Sequence, residues 1–93
     1  MSRTAHLAEL QLAIMHVLWE RGEATVAEVR QALAPQRPLA YTTVGTMLAK
    51  LEAAGHVTHR TDGRVNVYRP LLARDRVSRS MVSDLVERLF HAD

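Results

Sequence analysis

The chain has 93 residues, 47% of them apolar, and a formal net charge of +2, which together predict one folded domain with a core of modest size and exclude a disordered chain. It contains no cysteine, which excludes a disulfide framework, a thiol nucleophile and a thiolate metal site. Because it has neither a signal segment nor a long apolar run, we expect a cytoplasmic protein without a membrane partner.

The first segment has apolar residues at helical spacing. They are Leu7, Leu10, Ile14, Val17 and Leu18. This pattern predicts a helix over Thr4–Arg21 that ends near Gly22. Trp19 is expected to anchor the core from the far end of that helix.

The second helix is predicted to begin with a capping box. In the run Thr25-Val-Ala-Glu28, the threonine hydroxyl and the glutamate carboxylate satisfy each other's backbone N–H groups. The buried face of this helix is predicted to hold Val26, Val29 and Leu33. Pro35 and Pro38 then end it, because neither residue can donate a backbone hydrogen bond into a continuing helix.

A third helix is predicted over Ala40–Ala54, with Gly55 at its end. Its apolar side is formed by residues three and four apart, namely Val44, Met47, Leu48 and Leu51. The opposite side is small, hydroxylated and basic, and it consists of Tyr41, Thr42, Thr43, Thr46 and Lys50. Taken alone, such a side is typical of a solvated helix face. Together with the hairpin that follows it in the chain, it favours a recognition helix in a DNA major groove.

Gly45 lies on the same outward side of the third helix. A glycine inside a helix costs about 1 kcal/mol relative to alanine. Two interpretations stay open: the glycine lets the helix backbone approach DNA closely, or it occupies a tolerant surface position.

A β-hairpin is predicted after the third helix. Val57–Thr61 and Arg64–Arg69 are rich in β-branched residues, and Asp62-Gly63 between them is typical of a two-residue turn. If the loop is two or four residues long, pairing across that turn sets Val57 opposite Tyr68 and Arg60 opposite Val65. The hairpin then carries Arg60, Arg64 and Asn66 near its tip, where a wing would meet a DNA backbone.

The basic charge is concentrated in the second half of this domain. Residues 36–70 carry five basic and two acidic side chains, whereas residues 4–35 carry two basic and four acidic ones. This asymmetry is typical of a surface that binds nucleic acid.

The last stretch is predicted to be an amphipathic helix over Ala73–Phe90. Its apolar stripe is broader than a terminal helix of a small domain needs, so we expect it to pair with a second copy of the chain; docking against its own domain is the alternative. The residues expected at that dimer contact are Met81, Leu85, Leu89 and Phe90. The predicted organisation is a DNA-binding domain over 1–72 and the start of a dimerisation region over 73–93.

The predicted fold class is therefore α+β and mostly helical: a winged helix-turn-helix of three helices and a two-stranded β wing, with a C-terminal helix. In the order of these elements the chain resembles the penicillinase-repressor family of bacterial regulators (BlaI, MecI, CopY). The stretches that carry the resemblance are Leu10–Trp19, Ala40–Gly55 and Arg64–Pro70. It implies a winged-helix repressor that binds as a homodimer to inverted repeats in double-stranded DNA operators.

The resemblance also implies roles for individual residues. Thr43, Thr46 and Lys50 match the DNA-contacting positions of the family's recognition helix, and Arg60 and Arg64 match positions of its wing. Two further residues at the helix start, Tyr41 and Thr42, would lie close to phosphates. The chain departs from family members at Thr42 and Gly45, so their operator sequence is not carried over.

Family members continue into a C-terminal dimerisation region that a membrane sensor-protease cleaves during induction. Both the region and the cleaved bond would lie beyond Asp93. We therefore expect the chain to be a DNA-binding fragment of a longer repressor or a member that has lost its inducible tail. The copper-sensing branch binds metal through C-terminal cysteines, which are absent here, so no cofactor or metal is expected.

No catalytic motif is present in the sequence. His56 and His59 are three residues apart on a predicted strand, where they would point to opposite faces, so shared metal ligation is not supported. Serines on the last predicted helix have no base placed beside them by spacing. We expect a protein that is not an enzyme, and the alternative to a repressor is a winged helix that binds another protein without reading DNA sequence.

Overall fold

The three predicted helices and the hairpin are present in the structure, a computed structural model that describes residues 3–71, 73 and 74, with side chains from residue 9 onward. The elements in chain order are α1 (Arg3–Arg21), β1 (Ala24–Thr25), α2 (Val26–Leu33), α3 (Tyr41–Ala53), β2 (Val57–Asp62) and β3 (Val65–Pro70). The predicted C-terminal helix over Ala73–Phe90, with its dimer contacts Met81, Leu85, Leu89 and Phe90, lies outside the described residues apart from residues 73 and 74. It stays a prediction, as does the division of the chain at residue 72.

Helix α2 begins at the predicted capping box. The Thr25 backbone N–H donates to Glu28 Oε1 at 2.9 Å, and the Glu28 N–H donates to Thr25 Oγ1 at 3.2 Å. The hydrogen bond from the Thr25 backbone, followed by that from its side chain, lowers the pKa of the Glu28 carboxyl from its usual value of 4.5. Two backbone N–H groups at the start of α2 are thus bonded within the chain itself.

Helix α3 ends in the way that Gly55 predicts. Gly55 has a φ of +83°, its N–H donates to the Glu52 carbonyl at 3.0 Å, and the His56 N–H donates to the Leu51 carbonyl at 2.9 Å. These two bonds form a Schellman motif, which satisfies carbonyls that the end of a helix leaves free. The chain then turns directly into β2.

The sheet has three strands, ordered β1-β3-β2, where the sequence predicted two. The extra strand, β1, pairs antiparallel with β3 through Ala24 opposite Tyr68 and Thr25 opposite Val67. Two residues are too short to show an alternating pattern, so periodicity does not reveal this strand. Its effect is to attach the hairpin to the turn between α1 and α2.

The predicted hairpin turn was wrong by one residue. Asp62 pairs with Val65, so the two-residue loop is Gly63-Arg64 and not Asp62-Gly63. Gly63 has a φ of +65°, whereas Arg64 does not have a positive φ. Positive φ at the first loop position alone is the pattern of a type II′ turn, which places glycine first.

The register of the hairpin is displaced from the prediction for the same reason. Arg60 lies opposite Val67 rather than Val65, and Val57 lies opposite Pro70 rather than Tyr68. Since the displacement is two residues, each side chain keeps its predicted face of the sheet.

One hydrophobic core joins the helices to the sheet. The largest fully buried side chains are Ile14, Met15, Leu18, Val29, Val44, Leu48, Leu51 and Val57. Trp19 is partly buried and packs against this cluster, as the sequence predicts. Across the described part of the chain, no buried residue is polar or charged, and no helix is long and apolar enough to cross a membrane.

Candidate nucleic-acid interface

The surface of interest is the exposed side of α3. The four apolar residues predicted to be buried, Val44, Met47, Leu48 and Leu51, are all buried. At about 100° per residue, Thr42, Thr46 and Ala49 then lie at the middle of the opposite side. Thr43 and Lys50 lie on one flank of it, and Tyr41 and Gly45 lie on the other. The predicted residues thus share one helix face.

The side chains at the middle of this face are smaller than the predicted residues alone suggest. Ala49 and Ala53 are exposed there, and the sequence interpretation did not include them. Their positions follow from the same helical angle that places Thr42 and Thr46, so counting both sides of the helix would have found them. A face of threonine, alanine and glycine lets the helix axis approach a partner closely.

Gly45 is open to the surroundings in this structure. A Cβ added at this position would meet no atom within 4 Å, leaving aside the helix backbone itself. The glycine is therefore not required by packing inside the protein.

The start of α3 differs from the start of α2. Its N-cap residue is Ala40, which makes no side-chain capping hydrogen bond. The first amides of an α-helix have no partner within the helix, so those of α3 remain available to an external acceptor. Tyr41, at the first position of α3, is 53% exposed beside them.

Two predicted cations are unpaired within the part of the chain that is described. Lys50 and Arg64 are both exposed, and neither makes an ion pair or a side-chain hydrogen bond there. Lys50 lies on α3, and Arg64 occupies the second position of the turn at the hairpin tip. Their charges are thus directed to solvent at two separate points.

Arg60 is in a different situation, although it was predicted together with Arg64. Its Nη2 donates to Glu23 Oε1 at 2.9 Å, and its Nη1 lies 3.8 Å from Asp62 Oδ2. The hydrogen bond to Glu23 and the negative charge of that carboxylate raise the pKa of the Arg60 guanidinium. Arg60 therefore joins the hairpin to the turn between α1 and β1.

Two contacts hold α3 relative to its neighbours. Arg30 Nε on α2 donates to the backbone carbonyl of Leu39 at 2.9 Å, which fixes the connection that leads into α3. At the other end, His59 Nδ1 on β2 lies 2.7 Å from a carboxylate oxygen of Glu52 on α3. Helix α3 and the hairpin are thus connected by a side-chain contact as well as through the backbone.

Arg37, in the same connection, has its Nη2 3.5 Å from Glu9 Oε2 on α1.

Among the side chains that the structure describes, no group of three histidine, aspartate or glutamate residues is arranged to hold a metal ion.

Sequence comparison shows relatives along most of the chain. The family model described as "Penicillinase repressor" matches residues 7–93. The transcriptional regulator BlaI of Mycobacterium tuberculosis is 38% identical over 85 residues, which cover 90% of this chain and 62% of that protein. The penicillinase repressor of Bacillus licheniformis is 30% identical over 70 residues, which cover 75% of this chain and 55% of that protein. The chain thus spans just over half the length of these relatives.

Comparison with solved structures gives the same result for the fold. The DNA-binding domain of the repressor BlaI superposes with a TM-score of 0.66 at 28% identity, over 80% of this chain and 90% of that one. The CopR repressor superposes with a TM-score of 0.58 at 34% identity, over 67% of this chain and 90% of that one. The predicted winged-helix architecture is therefore confirmed for the described residues.

Proposed function

Because the chain belongs to the penicillinase repressor family, a family of regulators and not of enzymes, we propose that it is a DNA-binding transcriptional repressor. In this proposal the protein acts as a homodimer on an inverted-repeat operator and works in the cytoplasm. Its relatives carry the names of a transcriptional regulator and a penicillinase repressor, which supports the assignment.

The observation that carries the proposal is the combination of a small exposed face on α3 with an uncapped helix start. B-DNA's major groove admits an α-helix, and the free amides at a helix N-terminus favour a phosphate. The start of α2 differs, because the side chains of Thr25 and Glu28 accept hydrogen bonds from two of its backbone N–H groups. The start of α3 has no side-chain cap of this kind.

Each part of the α3 face has a role in the proposed complex. Thr43 and Thr46 contact base edges through their hydroxyl and methyl groups, and Ala49 packs against thymine methyl groups. Lys50 contacts the phosphate backbone of one strand. Tyr41, Thr42 and the first-turn amides contact phosphates at the N-terminal end of the helix.

The hairpin serves as the wing. Arg64 at its tip and Arg60 on β2 are proposed to contact the DNA backbone beside the groove that α3 occupies. Phosphate contacts fix the register of a protein on the duplex but carry no sequence information, so the wing contributes affinity and orientation.

We propose that the homodimer forms through the C-terminal segment, with Met81, Leu85, Leu89 and Phe90 at the contact, on the basis of their apolar spacing. Two half-sites would then lie about one or two helical turns apart. A sensor-protease that acts on a C-terminal region beyond this sequence is proposed as a further partner.

The experiment that tests the role of α3 compares two substitutions on its exposed side. Replacing Lys50 by glutamine removes one phosphate contact per protomer, so binding to all duplexes should weaken, and the slope of log K against log salt should flatten by about one unit per protomer. Thr46→Ala should change sequence preference and leave the salt slope unchanged. Fluorescence anisotropy titrations over a salt series measure the slope, and the same titrations with duplexes of different sequence measure the sequence preference. An unchanged slope in Lys50→Gln would remove that residue from the interface.

A further inference from the structure

Arg60 and Glu23 form an ion pair between the hairpin and the turn before β1. The Nη2–Oε1 distance is 2.9 Å, and the side chains of Arg60 and Glu23 are 55% and 48% exposed. They are 37 residues apart in sequence. The pair therefore lies at the surface, where another acceptor can reach the guanidinium.

A carboxylate and a phosphate are the same kind of partner for arginine. Both present oxygen acceptors to the planar guanidinium fork, and phosphate can take the bidentate position that a carboxylate takes. In the free protein the Glu23 carboxylate occupies one side of that fork, and Asp62 lies 3.8 Å from the other side. A phosphate that binds Arg60 must displace Glu23 or accept a less favourable geometry.

We propose that Glu23 is an internal competitor for the DNA phosphate that Arg60 would otherwise bind, and that it thereby limits the affinity of the wing for any duplex. This inference rests on the proposed function. Glu23 sets the strength of binding without selecting a sequence, because phosphate contacts carry no base information. Arg64 has no such competitor among the described residues, so the two arginines of the wing differ in what they contribute.

The size of the effect follows from counterion release. One additional phosphate contact raises the slope of log K against log salt by about 0.9, which corresponds to up to about eightfold tighter binding at about 0.1 M salt. A Glu23→Gln variant should therefore bind a mixed-sequence duplex more tightly at that salt concentration, by up to about eightfold for each bound protomer. Its salt slope should be steeper by about one unit per protomer.

Removing any acidic residue makes the protein more basic, so the test needs two controls. Glu20→Gln changes the net charge by the same amount nearby, at an exposed residue of α1 that has no ion-pair partner among the described side chains. Arg60→Gln removes the cation for which Glu23 is proposed to compete. Combining Glu23→Gln with Arg60→Gln then isolates the coupling between the two residues.

The experiment is a fluorescence anisotropy titration of a short mixed-sequence duplex with the full chain over a salt series. We expect Glu23→Gln to tighten binding only when Arg60 is present, and Glu20→Gln to leave the salt slope unchanged. An equal gain with and without Arg60, no gain, or weaker binding in Glu23→Gln would each overturn the competition. If the unsubstituted protein binds the duplex in a salt-dependent way, a negative result concerns only the competition by Glu23. If no variant binds DNA, the proposed function itself has failed.

Discussion

Replacing Gly45 by alanine tests two effects of this glycine separately: its effect on the stability of the protein and its effect on how closely α3 approaches DNA. Gly45 lies within α3, between the exposed residues Thr42 and Ala49, and an added Cβ would meet nothing within 4 Å. Alanine adopts the helical backbone conformation without strain. The unfolded chain has fewer accessible conformations with alanine than with glycine, so less conformational entropy is lost on folding. The methyl group should therefore stabilise the free protein without displacing any neighbour.

The magnitude follows from helix propensity. Glycine in a helix interior is less favourable than alanine by about 0.8–1.0 kcal/mol. For a domain of about 60–100 residues, 1 kcal/mol corresponds to a rise in Tm of about 4–8 °C. Gly45→Ala should give an increase of this size in thermal unfolding followed by circular dichroism. An unchanged or lower Tm would contradict this expectation, because it would mean that Gly45 is constrained in the folded protein.

The same variant decides between the two interpretations of this glycine. If the backbone of α3 approaches DNA closely at Gly45, the added methyl group will weaken binding although the protein is more stable. If the position is only a tolerant part of the surface, the affinity will stay the same. Anisotropy titrations of both proteins at one salt concentration distinguish these outcomes.

Two further predictions concern the capping box of α2. Thr25→Ala should lower the free energy of unfolding by about 1 kcal/mol, measured by urea denaturation, because it removes the hydroxyl that accepts from the Glu28 N–H. Thr46→Ala on the exposed side of α3 is the matched control and should cause no comparable loss; an equal loss in both would exclude the cap as the cause. The pKa of Glu28 is lowered in the folded state, so the stability that its carboxylate contributes is present above its usual value of 4.5 and is lost as the pH falls through the folded value. Glu28→Gln should therefore lose less stability than the unsubstituted protein on acidification below about pH 4.5. The measurement is Tm at a series of pH values, and curves of Tm against pH that run parallel for the two proteins would contradict this.

The helices were predictable because their signals are local. The capping box at Thr25, the apolar spacing in α3 and the glycine at position 55 each lie within one or two helical turns of the feature they predict. The structure places the boundaries of α3 within one residue of the predicted ones. The exposed face of α3 follows from the same spacing, including the alanines that the sequence interpretation left out.

The features that sequence did not predict depend on distant residues or on backbone geometry. Strand β1 exists because Ala24 and Thr25 meet β3 across the sheet, and no local pattern marks so short a strand. The hairpin register depends on which residue adopts the positive φ, and both Asp62-Gly63 and Gly63-Arg64 offered a turn with glycine. The partner of Arg60 is on another part of the chain, so the position of Arg60 near the hairpin tip predicted a DNA contact and did not reveal the ion pair with Glu23.

Whether α3 reads DNA sequence can be tested by selection of bound sequences from a random duplex pool at about physiological salt, where binding by phosphate contacts alone is weakened. We predict an enriched inverted repeat, whose half-site spacing reports the geometry of the dimer. Enrichment should weaken or change at individual base pairs in Thr46→Ala. A pool that shows no enrichment would contradict the assignment of α3 as a helix that reads DNA sequence, and it would favour a winged helix that binds another protein.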